Sequence, residues 1–141
     1  SFLIPPTDEE AALEKLEETI ALRPDEAIYR RMAAKMLLRR ADASRAAEHL
    51  KRALECLQSP SERAQTYLLL GFSHDLLGMR NEATRCYQDV LKLANSGTED
   101  VLSAVNRFVI ADARKYSRVP FTQNDATKIE ISFEITSKYD L

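Results

Sequence analysis

Apolar residues recur along most of this chain at the three-to-four-residue spacing of amphipathic helices, and local signals divide the pattern into six stretches. Thr7-Asp8-Glu9-Glu10 has the form of a capping box and opens a helix carrying Leu13, Leu16 and Ile20 on one face. Pro24 ends that helix, because proline lacks the N–H an interior turn needs. The spacing predicts a second helix from about Asp25 to Arg40, with Tyr29, Met32, Ala33, Met36 and Leu37 inward. Asp42 or Ala43-Ser44 restarts the chain into a third helix, whose inward set is Ala46, Ala47, Leu50, Ala53, Leu54 and Leu57. Ser59-Pro60-Ser61-Glu62 is a loop and N-cap before a fourth, carrying Tyr67, Leu70 and Leu77 and stopped by Gly78. Asn81-Glu82 begins the fifth, through Cys86, Tyr87, Val90, Leu91 and Leu93, until Asn95-Ser96-Gly97-Thr98 breaks it. A sixth helix is predicted over roughly Glu99 to Tyr116.

After Pro120 the period changes. Ile129, Ile131, Phe133 and Ile135 alternate with Glu130, Ser132, Glu134 and Thr136, the pattern of an extended strand with one buried face. A lone strand is unstable in water, so this segment must lie against another surface. The chain therefore divides into an arm over 1–7, a helical domain over 8–116 and an extended tail over 117–141.

Composition narrows the class. A length of 141 residues with 45% hydrophobic and 30% charged residues suits one globular domain with its own core. No apolar run approaches the roughly 18 residues of a membrane span. Residues 1–7 lack the basic start and apolar length of a signal peptide, and without an initiator Met they read as the cut edge of a longer polypeptide. Cys56 and Cys86 stand in helical patterns without metal-ligand spacing, as core thiols of a reducing, cytoplasmic compartment.

The six helices also repeat. Tyr67-x-x-Leu70-Gly71-x-x-His74, the turn at Gly78 and Ala83-x-x-x-Tyr87 resemble the tetratricopeptide repeat family, whose pattern is aromatic, Leu-Gly, aromatic on one helix and Ala and aromatic four apart on the next. Asn95 stands where the family has a closing proline, and His74 replaces an aromatic. Ala46, Leu50 and Ala53 lie 37 residues before Ala83, Tyr87 and Val90, and Ala34 lies 37 before Gly71. Ala12, Leu16 and Ile20 lie 34 before Ala46, Leu50 and Leu54. Val101, Ala104, Val105 and Phe108 lie 34 after Tyr67, Leu70, Gly71 and His74. The resemblance covers about residues 8–116, with a half-repeat at each end, and implies an all-α, right-handed antiparallel helix-hairpin array of about six helices.

In that family the first helices of each pair line a concave groove that takes extended peptides. The resemblance carries this role to Ile28, Arg31, Met32, Lys35 and Arg39, then to Gln65, Leu68, Leu69, Phe72 and Asp75, then to Leu102, Ser103, Asn106 and Val109. The polar clamp of the chaperone-tail-binding members is missing, since Leu68, Leu69 and Leu102 stand in its place. The expected floor is apolar with one basic wall. An apolar strip of this size calls for a cover. The candidates are the chain's own tail, an attached domain upstream, another copy of the chain or an external peptide.

Arg30, Arg31, Lys35, Arg39, Arg40 and Arg45 make the second helix and its turn basic, which raises nucleic acid as an alternative ligand. Glu10, Glu14, Glu17 and Glu18 next door offer neutralising partners, and no aromatics interleave the stripe for base stacking. His74 and Cys86 fall near one another in the repeat, but both occupy core positions, and His49 stands alone. No phosphate loop, metal cluster or nucleophile elbow occurs. The chain reads as a non-enzymatic protein-interaction domain without cofactor, metal or membrane, an accessory part of a larger polypeptide or the regulatory part of an enzyme whose chemistry lies elsewhere.

Overall fold

The computed structural model describes residues 6–96 and 104–131, and among them the chain is all-helical. Seven helices run in order: α1 (Pro6–Leu22), α2 (Ala27–Arg39), α3 (Ala43–Leu54), α4 (Pro60–Leu76), α5 (Arg80–Ser96), α6 (Ala104–Arg118) and the short α7 (Gln123–Ala126). Each of the first six packs on the next where both are described, and α2 also meets α4, α4 meets α6, and α7 meets α2.

Local chemistry sets the helix ends. Ser59 and Glu62 form a reciprocal capping box at the start of α4, with Pro60 in the first turn where its missing N–H costs nothing. The Asp42 carboxylate accepts the Arg45 amide at 3.3 Å and starts α3. Gly78 takes a left-handed φ of 76° after α4, and the amides of Met79 and Gly78 donate to the carbonyls of His74 and Asp75. That is a Schellman termination. Ala41, 37 residues earlier, ends α2 the same way at φ 61°, with the Asp42 and Ala41 amides donating to Leu37 and Leu38. The same turn thus ends both helices, although alanine there bears a steric cost glycine avoids.

The core runs unbroken through the helices. Leu13, Leu16 and Ile20 of α1 face α2, most of whose residues are buried because α1, α3, α4 and α7 all touch it. α3 contributes Ala46, Ala47, Leu50 and Ala53, and α5 contributes Ala83, Cys86, Tyr87 and Val90. At the α4–α5 crossing the Tyr87 ring lies directly over Gly71, leaving no room for a β-carbon.

Several sequence expectations are corrected. α1 begins at Pro6, so Thr7 falls inside the helix and not at its cap. α2 begins at Ala27, two residues after the predicted start, behind an N-cap Glu26 whose side chain makes no capping bond. α3 ends at Leu54, which leaves Leu57 wholly in solvent at 101% exposure, and Leu77 beyond the end of α4 is also exposed. α5 continues through Asn95 and Ser96. Phe108 is 77% exposed although His74, 34 residues earlier, is buried; among the described residues the helices packed on α6 are α4 and α5. The tail holds a helical turn, α7, where an extended segment was expected, since Thr122 and Asp125 make a second capping box. Residues 129–131 form no strand, and the rest of the alternating segment lies outside the described residues.

Candidate functional site

The face shared by α2 and α4 carries most of the positions that the repeat pattern assigned to a groove, and part of the tail lies on it. Phe72 of α4 stacks on Phe121, with ring centroids 3.8 Å apart and planes 9° from parallel. Tyr116 meets both edge-on, at 5.3 Å from Phe72 and 5.1 Å from Phe121. Such offset and edge-on pairs add to simple area burial. Ala126 and Ile131 join the same buried cluster as Leu68, Leu69 and Met32, and Ile129 packs against it.

Polar contacts fix the segment by its backbone. Arg39 donates from Nη1 to the carbonyl oxygens of Ile129 at 2.7 Å and Thr127 at 3.3 Å. Its Nη2 pairs with Glu9 at 3.0 Å, which anchors the guanidinium from the α1 side. The Gln123 amide donates to the Leu38 carbonyl at 2.9 Å. On the α4 side, Asp75 Oδ2 accepts the Phe121 amide at 3.0 Å, the Tyr87 hydroxyl at 2.6 Å and Arg80 Nη1 at 3.0 Å. The Asp75 carboxylate is only 1% exposed, so these three donors replace the water it has lost. Because main-chain groups carry no side-chain identity, these contacts recognise a conformation more than a sequence.

Other predicted positions serve differently. Arg31 turns away to tie α2 to the α3–α4 loop, donating to Gln58 at 2.7 Å and Thr66 at 3.4 Å and pairing with Glu62 at 3.5 Å. Lys35, one turn on, is half-buried, and desolvation, then the Arg31 charge, lowers its ammonium pKa. Gln65 and Ile28 are half-buried, and Val109 is buried on α6. Leu102 and Ser103 lie outside the described residues, as does the side chain of Asn106.

The arginines of the basic stripe have partners. Arg40 pairs with Glu10 at 2.7 Å, and Arg45 with Asp42 and Glu17. Arg30 donates to His49 Nδ1 at 3.2 Å, which leaves Nε2–H of that ring to donate to Glu17 at 2.7 Å. His74 and Cys86 are both buried, and desolvation lowers the imidazole pKa and raises the thiol to about 12. A thiol so high is protonated at neutral pH and is a poor nucleophile. Among the described residues no three His, Cys, Asp or Glu side chains converge on a metal site, and no helix is long and apolar enough to cross a membrane.

Compared with known proteins, the chain matches no family model, no curated sequence and no solved structure. The site therefore stands on its own geometry. Sequence reading singled out Arg39, Phe72 and Asp75, but it missed Tyr116, Phe121, Gln123 and Arg80. One signal was there to find: Thr122-x-x-Asp125 after Pro120 is a cap, which marks a turn of helix that would bring Phe121 back toward the core.

Proposed function

We propose that this chain is a protein-interaction module whose α2–α4 face holds a peptide segment. One observation carries the proposal: the face already accommodates residues 121–131 through main-chain bonds from Arg39 and to Asp75, with an aromatic anchor on Phe72. A surface that holds one end of a segment by an amide and a ring and the other end by carbonyls is suited to peptides in general, with its own tail as the resident occupant. The order of helices, the meetings of α2 with α4 and α4 with α6, and the matching turns at Ala41 and Gly78 fit a tetratricopeptide-type right-handed array. In that arrangement the domain serves as an accessory part of a larger polypeptide. The paired state of the α2 arginines favours this over a nucleic-acid ligand on that helix, because each pair would have to be given up to a phosphate.

A synthetic peptide spanning 119–131 tests the proposal by calorimetric titration. It should bind weakly to the intact chain, whose face is filled, and on the order of tenfold more tightly to a Phe121→Ala/Ile131→Ala variant. A variant that keeps its helical circular dichroism yet binds neither this peptide nor any member of a peptide library would reduce the face to a purely structural contact.

A further inference from the structure

The two ends of the helix array carry opposite charge. α1 holds six carboxylates against Lys15, and α6 holds Arg107, Arg114, Lys115 and Arg118 against Asp112. On α1 the exposed Glu10, Glu14 and Glu18 follow one another at four-residue steps and so share a stripe. Glu10 is committed to Arg40, but Asp8, Glu14 and Glu18 have no ion pair among the described residues. On α6 the exposed Arg107, Arg114 and Arg118 share the opposite kind of stripe, also without ion pairs among the described residues. By contrast, Arg39, Arg40, Arg45 and Arg80 find carboxylates within the fold. What sets α1 and α6 apart is sign: among the described residues the unpaired charges of α3 and α5 are mixed, whereas those of α1 are mostly acidic and those of α6 mostly basic.

Apolar groups stand beside both stripes. Phe108 projects from α6 into solvent at the position where, 34 residues earlier, His74 is buried beside α5. Leu22, at 83% exposure, closes the outer face of α1. The carboxylates of α1 also border an open cleft of about 590 Å³, whose other wall carries Arg40, Asp42 and Arg45. An exposed Phe among arginines on α6 and a row of exposed glutamates on α1 are complementary in charge.

We propose that copies of this chain associate head to tail, with α1 of one copy docking on the exposed face of α6 of the next. The helices match in length, at 17 and 15 residues, so one can lie along the other. Among the described residues α1 packs on α2, and α6 packs on α5 and α4. A second copy's α1 supplies α6 with the following helix that α5 supplies to α4. The contact joins two different surfaces, so it does not close on a two-fold axis but propagates into short open chains. A second copy is favoured over nucleic acid at α6 because it brings fixed carboxylates in a helical register, whereas this chain's net charge of −2 repels a polyanion. The inference concerns the outer faces of the array and is independent of what fills the α2–α4 face.

Sedimentation velocity on the full chain tests it. In about 0.05 M salt the weight-average mass should rise with concentration and keep rising past the dimer, and in about 0.5 M salt, where screening cuts off beyond about 4 Å, it should return to the monomer. Arg107→Glu/Arg114→Glu and, separately, Glu14→Lys/Glu18→Lys should each weaken association by on the order of tenfold or more. All four positions are exposed, so helicity should be unchanged in both variants. The decisive step mixes the two charge-reversed proteins: acidic α6 then meets basic α1, and a mixed complex should re-form. A monomer at every concentration in low salt overturns the proposal. So does a saturating symmetric dimer, association that survives either reversal, or a mixture that fails to rescue. Salt-sensitive oligonucleotide binding by a chain that stays monomeric would assign the α6 face to nucleic acid and likewise overturn it.

Discussion

The backbone amide of Phe121 donates to Asp75 Oδ2 at 3.0 Å, and Tyr87 donates its hydroxyl to the same oxygen at 2.6 Å. One buried carboxylate thus links α4, α5 and the tail. Asp75→Ala removes the common acceptor and leaves a buried hydroxyl and a buried amide unpaired, which should cost about 2–3 kcal/mol. Tyr87→Phe removes one donor and leaves the carboxylate two others, at about 1 kcal/mol. Urea unfolding ranks the two. Equal losses would mean that the tail contributes nothing through Asp75.

Gly71→Ala sets two effects against each other. Helix propensity alone favours alanine by about 1 kcal/mol. The Tyr87 ring, held by its bond to Asp75, occupies the space the new methyl group needs, and overpacking of this kind costs about 1–3 kcal/mol. The clash should win, with a lower denaturation midpoint. A stabilised variant would show that the ring can move away at little cost.

The two Schellman turns should answer to substitution with opposite signs. Gly78→Ala places a side chain at φ 76°, and Ala41→Gly removes one from φ 61°. The left-handed region costs a non-glycine residue about 1–2 kcal/mol, so the first change should destabilise and the second stabilise, each by about 1 kcal/mol. Thermal melts of the two single variants are the check, and a shared sign would contradict the common turn geometry.

Cys86 makes stability sensitive to alkali. Burial raises its thiol from 9.0 to about 12, so the native state holds this proton more tightly than the unfolded chain does. Above pH 9 the unfolded state has released the proton and the native state has not, so stability falls as pH rises through this interval and is complete below it. Cys86→Ala should flatten that part of the profile relative to the parent, as measured by urea midpoints from pH 8 to 11. The native thiol should also resist alkylation at neutral pH, and rapid modification would place it at the surface.

Turn and cap chemistry is written in short stretches, and it was legible. Ser59 with Glu62, Asp42 and Gly78 act over a few residues, so they delimit helices whatever lies beyond. The resemblance to the repeat family put Arg39, Phe72 and Asp75 in one groove, and helical spacing is consistent with it for Phe72 and Asp75, three apart on α4. It could not place Phe121, since the contact with Asp75 spans 46 residues and no local pattern encodes its partner. It gave Arg31 to the groove, but the structure spends that side chain on Gln58, Thr66 and Glu62, because a long arginine can reach along either side of its helix.

Sequence by itself determined that this protein is a run of helices, because caps, glycine and apolar period are local causes. Only the tertiary structure decided which of those helices have neighbours. Phe108 and His74 occupy equivalent places in the pattern, yet one stands in solvent and the other is buried. Burial belongs to the assembled surface, not to the residue.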